Sequence, residues 1–443
     1  MQILESHWIQ KLVSYECIHV GFSGGLDSTV LLHALASEAA LHNKIHAVHI
    51  NHGLSPEADA WEKQCQHFSK QLAIPCQTRR VSFNREANIE EEARNARYLA
   101  FSQLVKKNHC LVTAHHQDDQ AETVLLHLFR GAGIKGLSGI SATRLFSQGF
   151  LHRPFLAISR ETLLTYATRH QLIWIHDESN VDPYFSRNFL RQQVLPLLKT
   201  KWPSVCKNLV RASELCREAQ VNLDDLAEID CPLLQALHNS TTSIELGCQE
   251  LSVNQLMHLS DARLSNVLRW WLQKNAVRMP NYETLRRLFH EVIQADRDSS
   301  PEVRWGNWVV KRFHDRLSLH QVDLSLPLDT VQWLDFPNSL ALPGIGTLSA
   351  QLAAEGIKLS PGSKLEIRFR QGGETLCWHG QTKSLKKLMQ EWHIPPWSRS
   401  KIPLVYVNQQ LAAVVGYAIS DLFYSNNVLE SYDIQLMMTF VFE

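Results

Sequence analysis

An α/β protein is predicted, with an amino-terminal domain on a mostly parallel sheet, a mainly helical middle region and a small α+β unit at the carboxyl end. Three observations carry this. Apolar runs at 17–22 ("CIHVGF"), 45–50 ("IHAVHI") and 110–114 ("CLVTA") are short and mainly apolar, as expected of strands covered on both faces. Helical stretches around 28–41, 57–72 and 86–107 separate them, and that alternation predicts βαβ units. From about 158 the pattern turns helical, and beyond 361 the strand-like "LEIRFR", "LVYV" and "LAAVVGYAI" surround one helix, "SLKKLMQEW".

A chain of 443 residues exceeds what one hydrophobic core organises. The expected division is 1–213, 214–360 and 361–443. The middle region holds the helix "DARLSNVLRWWLQKNAV" and the strand-like "VRWGNWVVKRFHDRLSLH", and a Pro-, Gly-, Leu- and Asp-rich stretch at 323–347 reads as the connection to the third unit.

Lys plus Arg equals Asp plus Glu at 44 each, so net charge does not point to nucleic acid. The charge is segregated, however. No Lys or Arg occurs from Glu218 to Ala262, while both flanks are basic. Nine cysteines are scattered with no C-x-x-C pair, which argues against a zinc ribbon or iron–sulfur site and for reduced thiols in a cytoplasm. No run approaches the ~18 apolar residues of a membrane span.

The first strand leads through Ser23-Gly24-Gly25-Leu26-Asp27-Ser28 into an apolar helix. Such a turn offers unpaired backbone N–H groups and the positive end of a helix dipole to a phosphate, and the two serines add hydroxyls. A tight strand–helix turn is the plainer reading. The loop lacks the lysine of a Walker A motif and is not G-x-G-x-x-G. Asp27 tips the balance, because a carboxylate among phosphates needs a metal between them; it reads as a Mg²⁺ ligand.

The other strands end on polar clusters at the edge where ligands bind in such sheets. His49, Asn51, His52 and Gly53 follow the second strand and suit nucleotide contact as well as a polar strand end. Arg94 and Arg97 follow Glu90-Glu91-Glu92, so they either form a surface ion-pair ladder or neutralise phosphate or carboxylate charge. His115, His116, Asp118, Asp119 and Glu122 follow "CLVTA". They fit an acidic helix start, a metal site or, since Asp119 and Glu122 share a helix face, a cradle for an ammonium group. Arg187 and Arg191, four apart, share a face that suits phosphate, beside Asp177, Ser179 and Asn180, of which capping explains part. In 361–403, Lys364, Arg368, Arg370, Lys383, Lys386, Lys387, Arg399 and Lys401 interleave with Trp378, Trp392 and Trp397. That mixture suits RNA contact with stacking, or a basic surface over a tryptophan core.

"SGGLDS" resembles the pyrophosphate loop of the N-type ATP pyrophosphatases. With "HINHGLS" (49–55), "EEARNARY" (91–98), "TAHHQDDQAET" (113–123), "RPFL" (153–156), "DESNVDPYFSRNFLRQQVLP" (177–196) and the terminal "FRQGGETLCWHGQTKSLKKLMQEWHIPPWSRSKIPLVY" (369–406), the chain is similar from end to end to the tRNA(Ile)-lysidine synthetases. Ser55 departs from the basic residue expected to close the second motif.

The resemblance implies a PP-loop domain followed by two tRNA-binding domains. It implies ATP-dependent ligation of L-lysine to C2 of the wobble cytidine in the CAU anticodon of tRNA(Ile), through an adenylated cytidine, with release of diphosphate and AMP. It also implies ATP contacts at Ser23, Gly24, Gly25, Leu26, Asp27, Ser28, His49 and Asn51, with Mg²⁺ at Asp27. Lysine would be held by Asp119 and Glu122 with His115 beside the reacting groups, and Arg94 or Arg97 would serve the site. Contacts to tRNA would come from Arg187, Arg191, Lys383, Lys386, Lys387 and Arg399. A second copy of the chain is the one protein partner left open. Competing readings are a tRNA thiolase of the same group and a non-catalytic RNA-binding protein. The missing C-x-x-C disfavours iron–sulfur thiolases, and the intact Ser23, Asp27, Asp119 and Glu122 disfavour decay.

Overall fold

The structure, a computed structural model, describes residues 3–53, 55–83, 89–176, 186–233, 250–296, 299, 301–322, 330–360, 362–427 and 431–437. Its contacts group into two compact units, Met1–Asn222 and Leu223–Glu443. Among the described residues no helix is long and apolar enough to cross a membrane, and eight cysteines are free thiols.

The first unit is built on a six-stranded sheet: β1 (Cys17–Gly21), β2 (Ile45–Asn51), β3 (Cys76–Arg80), β4 (His109–Val112), β5 (Thr143–Phe146) and β6 (Gly149–His152), in the order β3-β2-β1-β4-β6-β5. All neighbours run parallel except the β5–β6 hairpin. β1 and β4 are buried because helices cover both faces. Ile18, Val20, Cys110 and Val112 pack on one side, and Leu111 joins Val48 and Leu151 on the other. β3 was not expected. Its sequence, "CQTRR", carries no apolar run because an edge strand buries little. Strand order turns between β1 and β4, and the loops that follow these two strands face one crevice, the ordinary ligand position of an open α/β sheet.

Buried neutral histidines make this unit acid-sensitive. His152 is wholly enclosed, bonded through Nδ1 to Thr143 Oγ1 (3.1 Å) and through Nε2 to Tyr15 Oη (2.9 Å). Burial, helped by Lys11 and Arg153, pushes its imidazole down to about 4. Burial likewise lowers His52 to about 4, with Arg97 and His49 adding to the effect. A folded-state value below the unfolded value means that the unfolded chain binds more protons. Stability is therefore full above roughly pH 6.5 and falls as pH drops towards about 4. Urea midpoints measured across that window should decline, and His152→Gln should flatten the decline.

In the second unit the helix Asp261–Lys274 buries Leu264, Val267, Leu268, Trp271 and Leu272 against a sheet of Leu251–Ser252, Glu302–Trp305, Trp308–Phe313 and Arg316–Gln321. The strand-like segment of the sequence thus forms three antiparallel strands. The stretch read as a connection holds strands too. Val331–Gln332 pairs with Leu365–Arg368, and Leu340–Leu342 pairs with the long strand Gly346–Lys358, which in turn pairs with Ser431–Met437. A five-stranded sheet through Leu404–Val407 and Gln410–Val414 and the helix Leu385–Glu391 complete the terminal part.

Candidate active site

The loop after β1 has the shape that its glycines require. Gly24 adopts φ +84°, and a Cβ there would press on Ile175 and lie 2.8 Å from Cys65 Sγ. Its carbonyl accepts bonds from Ile175 N (2.9 Å) and Thr29 Oγ1 (3.1 Å), which fix the turn. The hydroxyls of Ser23 and Ser28 meet at 3.0 Å. The helix Leu26–Ala36 starts at Gly25 with no side-chain cap, so its first-turn N–H groups face the loop. This is the backbone arrangement of an anion cradle.

Asp27 stands in that first turn. Its Oδ1 is shielded yet has no hydrogen-bond partner, while Oδ2 lies 3.5 Å from His116 Nε2. An orphaned carboxylate oxygen beside a phosphate cradle fits a hard divalent cation, so the residues present suit Mg²⁺.

After β4, His116 and Asp119 form a reciprocal capping box at the start of helix Gln117–Phe129. His116 N donates to Asp119 Oδ2 (3.0 Å), and Asp119 N donates to His116 Nδ1 (3.4 Å). Asp119 Oδ2 also lies 3.5 Å from His116 Nε2, so the imidazole stands between the loop carboxylate and the helix carboxylate. Burial opposes charging of His116, but hydrogen bonding of its Nε2 to Asp27 and the charges of Asp119, Asp27 and Asp118 raise it above its ordinary value. Asp118 lies 3.9 Å from His116 Nδ1 and accepts from Arg160 N (3.0 Å) and Lys199 Nζ (2.9 Å), which ties elements together. His115 bonds through Nδ1 to Thr113 Oγ1 (3.0 Å), and burial pushes it down to about 3 against the pull of Asp119, so it is neutral at ordinary pH.

Asp119 and Glu122 share a buried face, as their spacing predicted, and Glu122 has no exposed surface. Their partners were not predicted. Arg187 donates from Nε to Glu122 Oε2 (2.8 Å) and from Nη2 to Asp119 Oδ1 (3.0 Å). Arg191 donates from Nε to Glu122 Oε1 (2.7 Å) and from Nη2 to both Asp119 Oδ1 and Glu122 Oε2 (3.0 Å each). Burial would raise the Asp119 carboxyl, but His116, Arg187, His115 and Arg191 together hold it at about 2. Two buried carboxylates thus engage Arg187 and Arg191, the pair expected to meet phosphate. They come from Ser186–Phe189 and the wide π turn Leu190–Val194, an irregularity common at functional positions. Asp177, Ser179 and Asn180 lie outside the described residues.

Arg94 and Arg97, on helix Ile89–Ser102, address different parts of the crevice. Arg94 packs over the Tyr98 ring (5.4 Å), and its charge acts on His115; the charge of Arg97 acts on His52. His49 is buried with Nδ1 on Phe22 O (3.0 Å). Asn51, expected at the nucleotide, spends its amide on Glu62 (3.0 Å) and Asp59 (3.3 Å) and its carbonyl on Gly53 N (2.9 Å), so it shapes the turn. Ser55 lines a cavity of about 380 Å³ that Arg80 also lines, which gives that motif a cation from β3. Arg153 was missed as a site residue. It is buried, donates from Nη1 to Ser141 O (2.6 Å) and bears on both Tyr98 and His115. The "RPFL" motif just after β6 was its signal.

At the carboxyl end, Lys386 and Lys387 are exposed on Leu385–Glu391, as RNA contact requires. Lys383 pairs with Glu391 (3.0 Å), and Arg399 donates from Nε to Ile394 O (2.9 Å); both cations are half-exposed. The tryptophans are half-buried and pack on neighbouring side chains. Trp378 meets Trp392 edge to face at 5.6 Å, Trp392 stacks on Tyr417 at 5.5 Å, and Trp397 lies under Lys311 at 5.1 Å. Trp378 and Trp392, both half-buried, pack against the terminal core.

The comparisons agree with this architecture. Residues 2–198 match the model of a PP-loop domain, 251–318 a TilS substrate binding domain, and 365–435 a TilS substrate C-terminal domain. The tRNA(Ile)-lysidine synthase of Legionella pneumophila (strain Lens) is 48% identical over 434 residues, 98% of each chain. That of Coxiella burnetii is 40% identical over 423 residues, covering 94% of this chain and 92% of its own. That of Proteus mirabilis is 38% identical over 418 residues, 92% of each. Neither a thiolase nor a decayed RNA-binding protein accounts for identity of this extent, and the chain belongs to the tRNA(Ile)-lysidine synthase family.

Proposed function

We propose that the crevice between β1 and β4 joins the ε-amine of L-lysine to C2 of the wobble cytidine in the CAU anticodon of tRNA(Ile), with ATP converted to AMP and diphosphate. The observation that carries this reading is the meeting of Asp27 and Asp119 on one imidazole, which brings the phosphate loop and the ammonium-binding carboxylates into one reaction space. Ser23, Gly24, Gly25, Leu26 and Ser28 cradle the leaving diphosphate through backbone N–H groups and hydroxyls. Mg²⁺ held by Asp27 would neutralise phosphate charge there. His49 orders the nucleotide side with Arg97, and Arg94 faces the adenylate and the lysine carboxylate.

Asp119 and Glu122 receive the lysine amine once Arg187 and Arg191 turn to the phosphates of ATP or tRNA. That exchange has a second effect. A free lysine ammonium has a pKa of about 10.4 and must lose a proton before it attacks. A carboxylate held at about 2 is a poor acceptor, and removing two guanidinium charges raises its basicity. The target cytosine must leave its stack, at a cost of roughly a few kcal/mol, which contacts to the rest of the tRNA offset. The enzyme works in the cytoplasm, where all its substrates meet.

Incubating the chain with ATP, labelled lysine and a tRNA(Ile) transcript should place lysine on the transcript and release AMP. A transcript with uridine at the wobble position should take none. Equal AMP release without transcript would overturn the reading. Replacing Lys386 and Lys387 together by alanine should weaken tRNA binding, lower its salt dependence by about one to two phosphate contacts and spare ATP binding. Unchanged tRNA affinity across the salt series would remove these lysines from the interface.

A further inference from the structure

At the opposite, amino-terminal end of the same two strands lies a cluster that the ligase chemistry does not use. Cys17 and His109 are the first residues of β1 and β4 and face each other across the ladder. His19, two residues beyond Cys17, points to the same side of the sheet. Cys17 Sγ is 3.5 Å from His19 Nε2, and that nitrogen is 3.3 Å from His109 Nδ1; all three atoms lie within 4.8 Å of one another. We propose that Cys17, His19 and His109 form a binding site for a borderline-soft divalent ion, Zn²⁺ above all, that staples β1 to β4.

The first argument is metric. Tetrahedral zinc has Zn–N of about 2.0–2.1 Å and Zn–S of about 2.3 Å, which sets N···N edges near ~3.3 Å and N···S edges near ~3.5 Å. The two shortest separations in the cluster already have these lengths. The second is hydrogen-bond accounting. His19 Nε2 carries either one proton or one lone pair, yet it faces two partners. A hydrogen bond satisfies one of them; a cation at the centre takes a lone pair from all three. His19 is buried, whereas Cys17 and His109 are partly exposed, so an ion can enter and water or the exposed His46, whose ring centroid is 6.1 Å from that of His19, can complete the shell. Binding deprotonates Cys17, releasing one proton to solvent and leaving a thiolate on the metal.

The donor set separates this site from the phosphate loop. Thiolate and imidazole select Zn²⁺ and its neighbours over Mg²⁺, whereas Asp27 offers only oxygen. Four residue steps along β1, roughly 13 Å, separate Cys17 from Gly21 at the loop end. The ion would therefore not touch substrates. It would hold the register of the two strands whose far ends carry Asp27 and Asp119.

The test uses the full chain, freed of metal by a chelator, in buffer with excess Mg²⁺. Titration with Zn²⁺ against a chromophoric indicator should show one tight equivalent and a raised melting temperature. Co²⁺ in its place should give thiolate charge-transfer absorption and intense visible bands of a tetrahedral site. Cys17→Ser and His109→Ala should each abolish the equivalent and the melting shift, while Cys377→Ser keeps both. Metal-free melts of the variants identify any that fail to fold, and the Co²⁺ spectrum of the wild-type chain stands without them. Equal zinc stoichiometry in wild type and a folded Cys17→Ser, or a Co²⁺ spectrum without a thiolate band, overturns the proposal.

Discussion

Glu122→Ala should cost about 3 kcal/mol or more of stability in the first unit, because it leaves two guanidinium groups over a wholly buried gap with only Asp119 to share. The urea midpoint of that unit measures the effect. Glu122→Gln keeps the shape and part of the hydrogen bonding, so its loss should be smaller. Its effect on chemistry should be large: transfer of lysine to the adenylated transcript should slow by about 10²–10⁴-fold, the range for losing a positioned acid or base. Diphosphate release in the first half-reaction should survive, since the phosphate loop is intact. If Glu122→Gln transfers lysine at the wild-type rate, Glu122 serves only to anchor Arg187 and Arg191.

Asp27→Asn should behave in the opposite way. Asp27 Oδ1 makes no hydrogen bond, and when the Asp27 charge is removed Asp119 still faces the imidazole. Removing that charge gives up its attraction to His116 and Arg191 but should lower the urea midpoint far less than Glu122→Ala does. Formation of the adenylated cytidine should fall by about 10³-fold, the several kcal/mol that charge neutralisation at a transferring phosphate supplies. Quench-flow measurement of diphosphate release is the readout. A variant that both adenylates normally and keeps its Mg²⁺ dependence would take Asp27 out of the reaction.

The two substitutions probe the pair of sites that a single side chain, His116, holds together. Lost stability with intact adenylation and lost adenylation with intact stability are separate signatures. Their appearance in the expected variants would show that the arginine clamp and the phosphate loop act in sequence.

Several features of the molecule are legible in its amino-acid sequence. The runs of β1, β2 and β4 can be read because strands covered on both faces are mainly apolar. The phosphate loop can be read because Asp27 and two serines accompany the glycine pair at a strand–helix junction, and the shared face of Asp119 and Glu122 follows from helix geometry alone. β3 cannot be read, since an edge strand with alternate exposure has the composition of a loop. The strands between 331 and 358 are hidden in the same way. The longest of them, Gly346–Lys358, pairs with Ser431–Met437, more than seventy residues further along the chain.

Local patterning thus determined the fold class, the phosphate loop and the residues of the carboxylate face, and the resemblance of the ordered motifs to a known family implied the ATP chemistry. Tertiary structure alone decided which charge meets which. Arg187 and Arg191 look the same in sequence whether they face phosphate or carboxylate; the choice depends on Glu122 being dry and 65 residues from Arg187 along the chain. The same holds for Trp378, Trp392 and Trp397, and for the meeting of Cys17 and His109. A side chain's type is local, but its desolvation, and therefore the partner it must find, is set by the parts of the chain that fold over it.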